Sequence, residues 1–177
     1  MMRRLLLVNW FLSSCWDVHT FVLPVLGHER GMSASVIGSI LGAFAIAAAT
    51  VRVLLPLVAQ HLRERVVVST AMLSTAAIFG VYPLLPTPLA MGLCSVLLGL
   101  VLGSVQPMVM STLHQITPPE KHGEALALRQ MTLNGSSVVM PMLFGTVGAV
   151  VGVSVVFWTV GALVGLGARA AWGLKPS

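Results

Sequence analysis

The sequence predicts an all-α protein, a polytopic membrane helix bundle of about six transmembrane helices. Three observations carry this. Of the 177 residues, 56% are hydrophobic and only 8% are charged, against about 25% charged residues in a typical soluble domain. The mean hydropathy is +0.94, too apolar for a surface kept in water. And the apolar residues fall in stretches of about 20, the length of helix that crosses a bilayer core of about 30 Å. Lipid offers the backbone no hydrogen-bond partners, so stretches of that length close their own bonds as helices.

Six spans are expected in one domain over 1–177, at about 5–26, 35–58, 66–85, 89–113, 123–145 and 147–172. The first follows Arg3 and Arg4. Its apolar run passes Asn9 and reaches Leu26 without a small-x-small cleavage site, so it reads as a membrane span and not a removed leader. Gly27-His28-Glu29-Arg30-Gly31 separates spans one and two, and Ala59–Arg65 separates two and three. Pro86-Thr87-Pro88 turns the chain between three and four, and Thr117–His122 forms a polar loop between four and five. The last break is placed within Gly145–Gly152, which has three glycines and no charge, as a tight re-entry.

Charge gives the direction. With the N-terminus inside, the inner set is Arg3, Arg4, Arg63, Arg65, Lys121, Arg169 and Lys175, and the outer set is Arg30 alone. Positive residues hold loops on the cytoplasmic side, so both termini are expected to be cytoplasmic. The net charge of +5 is thus topological. Its residues sit singly or in pairs, not as the clustered basic face that nucleic acid requires. Cys15 and Cys94 lie in apolar runs with no CxxC spacing, which gives no disulfide framework and no thiolate metal site. No cofactor is expected.

Polar residues are expensive at membrane depth, so their distribution is informative. Span one carries Asn9, Asp17 and His19; span two, Arg52; span four, Gln106; span five, Arg129, Gln130 and Asn134. Apart from Arg169 near the inner end of span six, spans three and six carry only Ser and Thr besides aromatic residues. The order is polar, polar, apolar, repeated: a period of three helices in which the third of each triplet is expected to face lipid. On a helical wheel Asn9, Ser13, Trp16 and Thr20 fall within an arc of about 60°, with Asp17 about 40° beyond it. Either a water-filled cavity or a helix contact favours that stripe. Arg52 and Arg129 each lie roughly 9 Å from the inner ends of their spans by helical rise, where they either snorkel to the headgroups or serve the cavity. Small residues recur at packing distance in Gly38/Gly42, Gly99/Gly103 and Gly161/Gly165.

At the end of span four, Thr117-Pro118-Pro119-Glu120-Lys121-His122-Gly123-Glu124-Ala125 resembles the loop between the fourth and fifth helices of one six-helix half of the major facilitator superfamily, most like the C-terminal half. The continuation from Gly135 through Met140-Pro141 to Gly145 is similar to the glycine–proline–glycine pattern on the fifth helix of such halves. The loop after span two matches less well. In Pro56–Arg65, proline replaces the family's leading glycine and Gln60 its acid, so no charge-relay gate is carried over there. Arg52 resembles an arginine common on this helix. The resemblance covers nearly the whole chain. It implies two three-helix inverted repeats, with the first, second, fourth and fifth helices bordering a cavity.

The resemblance therefore implies a secondary transporter, or a half or truncated form of one, moving a small solute by alternating access. Split genes, a truncated product and a homodimer all fit. Ten methionines give either adaptable walls suited to an efflux-type substrate or ordinary core filling, and proton-coupled antiport is one coupling that fits. The expected substrate or proton site is Asp17 with Asn9, Ser13, Trp16, Thr20, Gln106 and Asn134. Gating or structural roles are expected for Arg52, Arg129, Pro141, Gly135 and Gly145. The expected partners are the lipid bilayer, a small-molecule substrate and a partner half or second copy, in a cell membrane of bacterial inner-membrane type. The alternative is a non-transporting membrane fragment or scaffold that associates with another helix bundle. An enzyme is not expected: the sequence has no HExxH, no GxSxG and no paired acidic motif.

Overall fold

The structure, a computed structural model, describes residues 2–58 and 63–172. Ala59–Leu62 of the loop after span two, and Lys175 of the inner basic set, lie outside the described residues. Among the described residues there are six α-helices and no strand. They are α1 (Met2–Glu29), α2 (Ala34–Val58), α3 (Glu64–Val81), α4 (Pro88–Ile116), α5 (His122–Val151) and α6 (Val153–Trp172), with short 3-10 turns at Tyr82–Leu84 and Pro119–Lys121. Helices α1 to α5 are long and apolar enough to cross a membrane, while Val153–Ala168 of α6 is a shorter apolar helix.

Local chemistry sets the boundaries. Gly31 ends the α1 turn at φ 70°, and the amides of Gly31 and Met32 return to the carbonyls of His28 and Gly27 at 2.9 Å each. That is the left-handed glycine closure of a helix C-terminus. At the start of α4 the Thr87 hydroxyl accepts from the Ala90 amide at 3.3 Å, with Pro88 at the first helical position. Beyond α3, Leu85 is extended, as a residue before proline prefers.

The break between the last two helices differs from expectation. Spans ending at Gly145 and restarting at Val147 are corrected: α5 continues through Val151, and the chain turns at the single residue Gly152. Gly152 has φ 94°, a conformation that residues with a Cβ rarely adopt, whereas Gly145 and Gly148 remain helical.

The helices pack in a pattern that maps onto itself when each is exchanged with the one three places on. α2 lies against α4 and α5 against α1; α3 lies against α4 and α6 against α1; α3 and α6 lie against each other. Successive helices reverse direction, so helices three apart run antiparallel, the packing that the three-helix period requires. The α3–α6 seam is aromatic. Phe79 and Phe157 meet edge to face with ring centres 5.2 Å apart, and Tyr82 stacks on Phe157 at 5.2 Å. The third helices of the two triplets thus pack on each other, while outward residues such as Leu73 and Leu166 stay exposed. The more open helices are α2 and α5: 22% and 11% of their membrane windows are buried, against 44% for α3.

Close approach explains the α2–α4 pair. A Cβ on Gly99 would fall 2.4 Å from the Phe44 carbonyl oxygen, and one on Gly103 2.7 Å from that of Ala48. Gly161 and Gly165 similarly face Phe79 and Ala76. Gly38 and Gly42 meet nothing within 4 Å, so their expected packing role is not filled within this chain.

Candidate functional site

The two ends of the bundle are held differently. At one end Glu64, in the first turn of α3, accepts from Ser111, from Thr112 at 3.1 Å and from Gln115 at 2.8 Å, all on the last turns of α4. At the other, Arg30 donates to the backbone carbonyls of Pro83 and Leu85. That contact ties the α1–α2 turn to the α3–α4 turn. Between these ends lie the polar residues of α1.

Asp17 sits near the middle of α1 and is buried. Its partner comes from α5: Ser136 Oγ donates to Asp17 Oδ2 at 3.1 Å. Ser14, one turn below on α1, lies 3.4 Å from Ser136 through its Oγ and donates to the Trp10 carbonyl at 2.8 Å. A carboxylate at membrane depth costs at least about 2.5 kcal/mol without water or a partner. Here one oxygen is met by the Ser136 hydroxyl, and among the described residues no arginine pairs with the carboxylate. Arg52 instead lies over the Trp16 ring at 5.1 Å, and Arg129 donates to Gln106 Oε1 on α4.

The remaining stripe residues divide. Thr20 turns back on its own helix, donating to the carbonyls of Trp16 at 3.0 Å and Asp17 at 3.2 Å. Ser13 and Trp16 are partly exposed, and Trp16 packs edge-on against Phe44 at 4.6 Å. Asn9 is buried and its Nδ2 has no partner. Asn134 is exposed on α5 and accepts from Gln130 Nε2 at 3.1 Å. It is not brought to Asp17, which is met two residues later by Ser136. Pro141 and Gly145 line a cavity of about 340 Å³ with Phe21, Val25 and Glu29, beside the C-terminal half of α1. Gly135 is exposed, with no neighbour within 4 Å of an added Cβ. A second cavity of about 270 Å³, almost wholly apolar, lies among α1, α5 and α6 and reaches Ser14.

Sequence reasoning missed Ser14 and Ser136, and nothing distinguishes them from the other serines until α1 and α5 are set in register. It also gave no role to His19. That ring is wholly buried between Phe44 at 4.4 Å and Tyr82 at 5.6 Å, and neither nitrogen has a partner. Tyr82 is itself satisfied by Ser95 at 2.7 Å. Among the described residues no group of three His, Cys, Asp or Glu side chains is placed to hold a metal ion.

The arrangement is a helix bundle with a carboxylate at mid-membrane, bonded from a second helix, and two intramembrane arginines occupied elsewhere. No curated protein matches the chain. The family model described as Major Facilitator Superfamily matches residues 5–176. This span takes in all six helices but for Met2–Arg4 of α1, and the chain belongs to the major facilitator superfamily, a multi-pass membrane protein of the transporter type.

Proposed function

We propose that this chain acts as one six-helix half of a secondary transporter. It lies in the cell membrane with six spans and both termini cytoplasmic, and moves a small solute by alternating access against a second six-helix bundle. Asp17 carries the coupling proton. The observation that carries this reading is the Asp17–Ser136 bond between α1 and α5. A carboxyl group held between two helices at mid-bundle changes what it can bond when it gains or loses a proton. The helices it joins are then biased by its state, which is what coupling requires.

The second bundle is motivated by the open faces of α2 and α5 and by Gly38 and Gly42, a close-approach pair without a neighbour in this chain. A cavity between two rocking bundles needs both of them. The alternative, a scaffold that binds another helix bundle without transporting, shares those faces but gives Asp17 no task. Solute-driven proton movement in proteoliposomes separates the two. Asp17→Asn keeps the shape and the Ser136 partner but cannot release a proton. It is expected to abolish coupled proton movement while the protein still inserts and folds. Unchanged proton movement in Asp17→Asn would remove Asp17 from the mechanism.

A further inference from the structure

We propose that Arg129, Asn9 and Gln106 form a binding subsite for the carboxylate group of an anionic solute, about two helical turns to the inner side of Asp17. This rests on the reading of the α1 stripe as a cavity wall and adds the chemical class of what enters it.

The register between α1 and α5 sets the three residues at about the same height of the bundle. Both helices run outward from the same end, and the Asp17–Ser136 bond fixes their relative height. Asn9 precedes Asp17 by eight residues and Arg129 precedes Ser136 by seven, so the two are level to within about 1.5 Å of rise. Arg129 and Ser136, seven apart, share a face of α5, and Ser136 faces α1. Arg129 also reaches Gln106 on α4, although α4 and α5 have no extended packing of their own and α1 touches both. Its side chain therefore crosses beside α1 at the height of Asn9.

The chemistry of that place is one-sided. Arg129 is 8% exposed and Asn9 1%, and Arg129 Nε and Asn9 Nδ2 both lack an acceptor. The side chain that Arg129 bonds is a neutral amide, so among the described residues no carboxylate neutralises the guanidinium. Glu124 is exposed in the first turn of α5, five residues nearer the helix start, and Asp17 is eight residues higher on α1. A buried cation without a counter-charge, with a second donor directed to the same level, is expensive to hold. A carboxylate answers both donors at once, and its two oxygens match the planar fork of a guanidinium.

The test uses the full chain in detergent and in lipid nanodiscs, reading thermal unfolding and the fluorescence of Trp10 and Trp16. The probes are acetate and benzoate, with chloride at matched ionic strength and benzylammonium as the cationic counterpart of benzoate. At least one carboxylate is expected to raise the unfolding temperature above chloride in a saturable way, and benzylammonium is not. Arg129→Gln is expected to weaken the apparent affinity at least about tenfold, with Arg129→Lys retaining part of it. Asn9→Ala, which leaves the charge in place, is expected to weaken it by a smaller factor and serves if Arg129→Gln fails to fold. No carboxylate effect beyond that of chloride, or an undiminished effect in folded Arg129→Gln, overturns the proposal. The cavity reading is checked separately by an impermeant thiol reagent on Ser13→Cys with Cys15 and Cys94 replaced. Labelling there without a carboxylate response overturns the subsite alone, and protection of Ser13→Cys from the reagent overturns the cavity that the subsite needs.

Discussion

Asp17 and Ser136 illustrate what a single residue announces about itself and what it does not. Asp17 was legible as a candidate because a carboxylate in the middle of an apolar run has no cheap explanation. Ser136 was not, because serine is ordinary in membrane helices and its value here depends on a register that no local pattern records. The same holds for Arg129: its depth followed from counting residues, while its partner Gln106 followed only from packing. Ser136→Ala should therefore reveal whether the inter-helix bond matters as a bond. It removes the donor to Asp17 Oδ2 and leaves that buried acceptor without its Ser136 partner, which costs about 1 to 3 kcal/mol. Equilibrium unfolding of the purified protein is expected to show a loss in that range. Thr146→Ala, further along α5 and exposed with its hydroxyl turned back to Met142, is expected to leave stability unchanged within about 0.5 kcal/mol.

The helices themselves were legible almost to their ends, because length and hydropathy at membrane depth leave the backbone no other choice. Among the described residues, the α1–α2, α3–α4 and α4–α5 turns fall at the expected charge and proline stretches. The α5–α6 turn was blurred because three glycines share a segment with no charge, and only Gly152 takes the positive φ. Glycine pairs were a weaker guide. Gly99 and Gly103 admit α2 so closely that a methyl group would meet backbone oxygens, while Gly38 and Gly42 face open space. Sequence spacing is the same in both pairs; what differs is whether a neighbour is there. Gly99→Ala and Gly103→Ala are each expected to lower unfolding stability by about 1 to 3 kcal/mol through overpacking. Gly38→Ala and Gly42→Ala are expected to leave it unchanged or raised by up to about 1 kcal/mol, the difference in helix propensity. Equal losses at both pairs would mean that the α2–α4 contact is not as close as described.

At the scale of the whole molecule the polar–polar–apolar order along the chain gave the three-helix period, but not which faces lie open. α3 and α6 were expected outward because they carry few polar groups, yet they pack on each other, and α2 and α5 are left the more exposed. Polarity reports which helices meet water or substrate, not how many neighbours a helix has within one chain. If α2 and α5 are the faces that meet a second bundle, their exposed residues lie near protein in the membrane, and the outward residues of α3 and α6 lie near lipid. Ile46 on α2 and Met131 on α5 are 69% and 71% exposed, and Leu73 on α3 and Leu166 on α6 are 57% and 66% exposed, so the four positions offer comparable reach to a cross-linker. Single cysteines at each, with Cys15 and Cys94 replaced, can be treated with a short bis-maleimide in native membranes. Ile46→Cys and Met131→Cys are expected to give a product of discrete higher mass, either two copies of this chain or this chain joined to another six-helix bundle. Leu73→Cys and Leu166→Cys are expected to remain single. Cross-links of equal yield at all four positions would indicate random encounter, and a product only from α3 and α6 would place the partner on the opposite face and remove the basis for a cavity between the two bundles.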